Sequence, residues 1–199
     1  MKVASLLIVL ALALPLTAFA DGIVLTNQFG SIAISNAGIT STGSELMRFN
    51  GIVAASGHSL GSVRFSTGAL TSGSISAGGT FSSAGSTFVV TGNGRQGVPK
   101  GAIFTGSFTG PIAWTLVSHG GASLTYTLSG TISGTLYTGR TVSGTFTVTI
   151  FSTSHQLSQG IGHIGGGTTR LITPEPGTLS MLGTGLIAIA GLVKHKFFA

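Results

Sequence analysis

SLTYTLSGTISG, residues 123–134, decides the fold class. Leu124, Tyr126, Leu128 and Ile132 fall on alternate positions, and Ser or Thr fills most of the places between them. Successive side chains of a β-strand point to opposite faces, so a period of two describes a ribbon with one apolar face and one hydroxylated face. GTFTVTIF, residues 144–151, repeats the pattern with Phe146, Val148 and Ile150 on one face and Thr145, Thr147 and Thr149 on the other. Shorter runs of the same kind lie at 32–34, 52–54, 63–65, 86–90, 102–108 and 112–117. Between Ile23 and Phe151 no stretch sustains the apolar spacing of three and four that a helix requires, and the strong helix formers Glu, Lys and Gln are scarce. Only SELMRFN, residues 44–50, has a helical flavour, with Glu45 and Arg48 three apart as a local ion pair or turn would place them.

Glycine separates the strands. Gly78-Gly79, Gly92-Asn93-Gly94 and Gly120-Gly121 are turn signals, and Asn93-Gly94 is the best candidate for a two-residue hairpin. Many short strands with regular turn signals predict an all-β fold, an antiparallel β-sandwich over residues 21–152. A β-helix or solenoid is the alternative, because Ser-Gly-Thr recurs at Ser129, Ser133 and Ser143, although at irregular intervals. After Ser152 the alternation fades. Residues 153–172 read as a flexible Gly/Ser-rich tether with room for one last strand at 169–172.

The two ends have a different character. MKVASLLIVLALALPLTAFA, residues 1–20, has a basic start at Lys2, a short apolar core broken by Pro15, and the small residues Ala18 and Ala20 where signal peptidase cuts. Cleavage is expected before Asp21. At the other end, residues 177–193 carry no charge and are followed by Lys194, His195 and Lys196. As a helix this run spans roughly 25 Å, enough to cross a bilayer with its flanks drawn to the interface. The basic stop at Lys194 and Lys196 stays on the cytoplasmic side, which leaves the β domain outside.

Pro174-Glu175-Pro176, then Gly177-Thr178-Leu179, then the apolar run and the basic terminus closely resemble the PEP-CTERM sorting signal. The resemblance covers residues 173–199 and says nothing of the β domain. It implies recognition by a membrane-embedded exosortase, removal of the helix near the Pro-Glu-Pro motif, and an envelope or extracellular-matrix destination, commonly in bacteria that make exopolysaccharide. The tail Lys-His-Lys-Phe-Phe-Ala carries fewer arginines than is usual, and the basic role is kept. The physical logic agrees. Two prolines hold residues 174–176 out of helix and sheet, and Glu175 resists entry into lipid.

Composition excludes several kinds of chemistry. The chain has no cysteine, so stability rests on burial and backbone pairing. Nine Lys and Arg face three Asp and Glu. Without Lys2, Lys194 and Lys196, the six remaining cations are spread singly and form no nucleic-acid stripe. Gly57-His58-Ser59-Leu60-Gly61 fits the G-x-S-x-G elbow of serine hydrolases, but no Asp or Glu occurs between Glu45 and Glu175, and strand-like SVRFSTG follows where the elbow needs a helix. Hydrolysis at Ser59 is the remote alternative. Paired-carboxylate chemistry lacks its acids, and His58, His119, His155 and His163 lack metal-ligand spacing, so no cofactor or metal is expected. Trp114, Tyr126 and Tyr137 are the candidates for stacking on sugar.

The sequence therefore points to an exported, non-enzymatic envelope or matrix protein. Its partners would be signal peptidase, exosortase, the membrane and an exopolysaccharide. A carbohydrate-binding or adhesive module is the second reading.

Overall fold

Alternating apolar and hydroxyl residues produce fourteen antiparallel strands: β1 (Gly22–Gln28), β2 (Ser31–Ser35), β3 (Gly38–Ser41), β4 (Ser44–Phe49), β5 (Ile52–Val53), β6 (Gly61–Ser66), β7 (Leu70–Ser74), β8 (Gly78–Phe81), β9 (Thr87–Asn93), β10 (Lys100–Phe108), β11 (Ile112–Gly120), β12 (Ser123–Leu136), β13 (Thr141–Thr153) and β14 (Ile161–Ile172). Among the described residues a single short helix, α1 (Ser154–Ser158), interrupts them; Thr153 caps it, accepting from the Gln156 amide while the Gln156 side chain accepts from the Thr153 amide. This computed structural model describes residues 22–173. The signal peptide with its cleavage residues Ala18, Ala20 and Asp21, the sorting motif Pro174-Glu175-Pro176, the helix expected at 177–193 and the basic stop Lys194/Lys196 lie outside the described residues. Among the described residues no helix is long and apolar enough to cross a membrane.

The fold is all-β, as the alternation predicts, but the sheet does not divide into the two layers of a sandwich. It closes. Running round the ring, β1 pairs with β4, β4 with β6, β6 with β9, β9 with β10, β10 with β12, β12 with β13, β13 with β14, and β14 returns to β1. The result is an eight-strand antiparallel barrel. No solenoid repeat forms. Five of the remaining strands make two flaps, β2 and β3 joining the first residues of β14 to β6 and β11, β8 and β7 extending from the first half of β12, while β5 pairs with the end of β4. Closure removes the free edges that an open sheet would leave in these strands.

The barrel is filled. Phe65, Phe88, Phe104, Phe108 and Phe146 point inward from four strands, two of them from β10, and are nearly or wholly buried. Phe88 and Phe146 lie 4.8 Å apart by ring centroid, and Phe65 and Phe146 lie 5.0 Å apart. Glycines on facing positions make the room. A methyl group on Gly130 would stand 2.9 Å from Cδ1 of Phe108, closer than carbon atoms approach. One inward polar pair, Asn27 and Ser44, is satisfied internally: the Asn27 amide donates to Ser44 Oγ at 2.7 Å, and that hydroxyl donates to the Val63 carbonyl at 3.2 Å.

Four expectations are corrected. Residues 153–172 are not a tether, because β14 lies between β1 and β13 and completes the ring. The last strand is not confined to 169–172. SELMRF is strand β4 rather than a helical turn, and the register shift opposite Thr26 and Asn27 makes Met47 a bulge that turns both Glu45 and Arg48 outward. Asn93-Gly94 does not make a two-residue hairpin: β9 ends at Asn93, and residues 94–99 form a longer connection in which Asn93 Oδ1 accepts from the Arg95 amide.

Candidate binding surface

Trp114 on β11 and Tyr126 on β12 are 1% and 0% exposed. Their rings stack on each other, 4.3 Å between centroids and 7° from parallel. Trp114 Nε1 donates to the Ile75 carbonyl and Tyr126 Oη to the Ser76 carbonyl, each at 2.8 Å, so the pair fastens the turn between β7 and β8. Neither ring presents a face to a sugar. The alternation points the same way, because Tyr126 shares its face with Leu124 and Leu128.

Burial raises the Tyr126 phenol above its usual 10.0. The sign follows directly. Below about pH 10 the phenol is protonated in the folded and unfolded chain alike, and the contribution is fully present. Above it the unfolded chain loses the proton first, so stability falls as pH rises. The melting temperature is expected to drop more steeply above pH 10 in the wild-type chain than in Tyr126→Phe, which should also lose about 1 kcal/mol at neutral pH with its hydrogen bond. Calorimetry at pH 8 and pH 10.5 checks this; equal alkaline slopes would sink it.

Beside that pair, Ile75, Leu116, Leu124 and Leu157 line a half-open groove of about 490 Å³ rimmed by Ser76, His119, Ser154 and Ser158. The histidines do not assemble elsewhere: His163 sits 3.5 Å from Ser31 Oγ and 3.3 Å from Gln156 Nε2, and among the described residues no three potential ligands come together for a metal ion. Ser59 lies in the loop before β6, where its carbonyl accepts from Asn93 Nδ2 at 2.6 Å. Strand β6 follows, so the backbone lacks the strand-to-helix turn of a nucleophile elbow.

The outer wall is more regular. Where β12 and β13 pair, outward residues stand opposite one another as Thr127–Thr149, Ser129–Thr147, Thr131–Thr145, Ser133–Ser143 and Thr135–Thr141. Every rung carries two hydroxyls. A rung follows every two residues, or about 7 Å, and the strands lie about 4.8 Å apart. A barrel wall built to face lipid carries apolar side chains at such positions. Arg170 on β14 stands opposite Thr145 and Thr168 opposite Thr147, which carries the polar surface onto a third strand.

An exposed aromatic stands near each end. Phe151 is opposite Thr125 and 47% exposed. One side of its ring rests on Gly165, where a Cβ would overlap its Cε2. Tyr137, 55% exposed, lies in the turn between β12 and β13, its amide donating to the Ile103 carbonyl at 2.8 Å. Of the three aromatics singled out from sequence, Tyr137 alone keeps an open ring. Phe151 closes the run GTFTVTIF on the face of Thr145, Thr147 and Thr149, and that unbroken alternation is the signal that turns it outward.

No protein-family model matches the chain, and neither a curated protein nor a solved structure is significantly similar to it.

Proposed function

We propose that this chain is an exported, non-enzymatic protein of the cell envelope or extracellular matrix, sorted through its PEP-CTERM-like end and associated with exopolysaccharide. Signal peptidase removes residues 1–20, and an exosortase releases the chain near Pro174-Glu175-Pro176 after the apolar run 177–193 has held it in the membrane. The observation that supports the reading best is the hydroxyl ladder of β12 and β13. It offers many weak, repeated hydrogen-bonding sites on a rigid wall, which suits a polymer of repeating sugars. The filled interior leaves recognition to the outer surface, of which that wall is the most regular part.

The processing half of the proposal is tested by intact-mass measurement on protein recovered from cells with and without the exosortase. Loss of about 23 residues, those after Pro176, is expected only when the enzyme is present. Recovery of the whole chain from both strains, starting at Met1 and ending at Ala199, would overturn it.

A further inference from the structure

We propose that the outer wall of β12 and β13, continued by Arg170 of β14, binds one extended strand of acidic polysaccharide whose sugars carry carboxylates. This rests on the glycan-associated reading above and names its ligand. From Phe151 to the rung Thr135–Thr141 the wall runs for about 34 Å, the rise of ten strand residues. That length takes several sugar units in line.

Most of the ladder hydroxyls are unengaged. Thr131 Oγ1 shares a hydrogen bond with Thr109, and Ser133 Oγ donates to the Val142 carbonyl. Among the described residues, the other rung hydroxyls make no hydrogen bond within the molecule. Each can donate once and accept twice, which matches the hydroxyls of a sugar. The γ-methyl groups of the threonines supply apolar contact for ring C–H groups between them. At the Phe151 end, one face of the phenyl ring is held against Gly165 and the other is open, a fixed platform for a pyranose.

Charge decides the class of glycan. Residues 22–173 carry Arg48, Arg64, Arg95, Lys100, Arg140 and Arg170 against one carboxylate, Glu45. Glu45 lies on β4, opposite Ser62, and β4 is separated from β13 by β14 and β1. The ladder thus carries no anion, and Arg170 is exposed beside its middle rung. A guanidinium presents a planar fork that fits a carboxylate better than a neutral hydroxyl. A neutral glycan would use the hydroxyls and leave Arg170 without a role.

The test uses the exported protein recovered from cells, with polygalacturonate as the acidic probe and dextran as the neutral one. Binding to polygalacturonate is expected, weakening as salt rises, with little retention on dextran. Arg170→Gln and Phe151→Ala should each weaken it about tenfold. Thr145→Val with Thr147→Val keeps the β-branched shape and should weaken it severalfold. Arg64→Gln is the control: Arg64 is exposed on β6, four strands from β13 either way round the ring, and this change should leave affinity within about twofold. Each variant is first shown to keep the wild-type thermal transition. Equal loss in Arg64→Gln and Arg170→Gln would mean unspecific attraction to a polyanion and would overturn the proposal. Equal retention on dextran, or no binding to either polymer, would overturn it too. Normal exosortase processing with no binding sinks this inference alone; binding without processing sinks the sorting reading alone.

Discussion

Phe146→Ala is expected to destabilise the protein by about 3–5 kcal/mol, the range for removing a large aromatic from a packed core. Phe146 is 0% exposed, and its ring meets Phe88 at 4.8 Å, Phe65 at 5.0 Å and Phe108 at 6.1 Å between centroids. Those partners come from β6, β9 and β10, while Phe146 comes from β13 on the other side of the barrel. The ring is therefore where opposite walls meet, and the surrounding backbone is fixed by its ladders and cannot collapse into the space. For a domain of this size the melting temperature should fall by roughly 10 °C. Phe146→Leu, which keeps most of the apolar volume, should cost clearly less. Urea titration of the three chains measures both. A loss below about 1 kcal/mol for the alanine variant would show that the rings do not form one core.

A chain ending at Gln159 is expected not to fold, whereas one ending at Thr173 should unfold in a single cooperative transition. The difference between them is β14. Removing it strips β1 and β13 of a neighbour each, leaves β2 without its pairing to the barrel, and takes Ile164 and Leu171 out of the core. The barrel would be left with two open edges along its length, exposing unpaired backbone groups and inviting aggregation. Far-ultraviolet circular dichroism and thermal melts of both chains distinguish the outcomes. A stable chain ending at Gln159 would restore the tether reading of residues 153–172.

Particular residues show how far the fold could be read in advance. β12 and β13 are plain in the sequence because Leu124, Tyr126 and Leu128 alternate with hydroxyls, as do Phe146, Val148 and Ile150. β14 was obscured by Gly165-Gly166-Gly167, which lack strand propensity yet lie where Phe151 and Asn27 come close. β4 was obscured by the bulge at Met47, which breaks the period of two. Closure itself was not legible: a strand with one apolar face suits a sandwich or a barrel equally, and only the long-range pairing of β1 with β14 and β4 separates them. The candidate surface was half legible. Its hydroxyl faces were evident, with Tyr126 on the apolar face and Phe151 on the threonine face of the same alternation, but the stacking of Trp114 on Tyr126 and the seat of Phe151 against Gly165 depend on the pairing of separate strands.

Gly22 stands opposite Ile172, so the described chain begins and ends side by side on one rim of the barrel. If the chain is held by its C-terminal end while its wall binds a polymer, as proposed above, this sets how mechanical load is borne. A pull on Thr173 runs along the axis of β14, and β14 is flanked on both sides, by β1 from Gly22 to Asn27 and by β13 from Ser143 to Phe151. Tension along a strand between two antiparallel neighbours loads their hydrogen bonds in shear, so many must yield together. The same force applied across the strands would part them one at a time, like a zip.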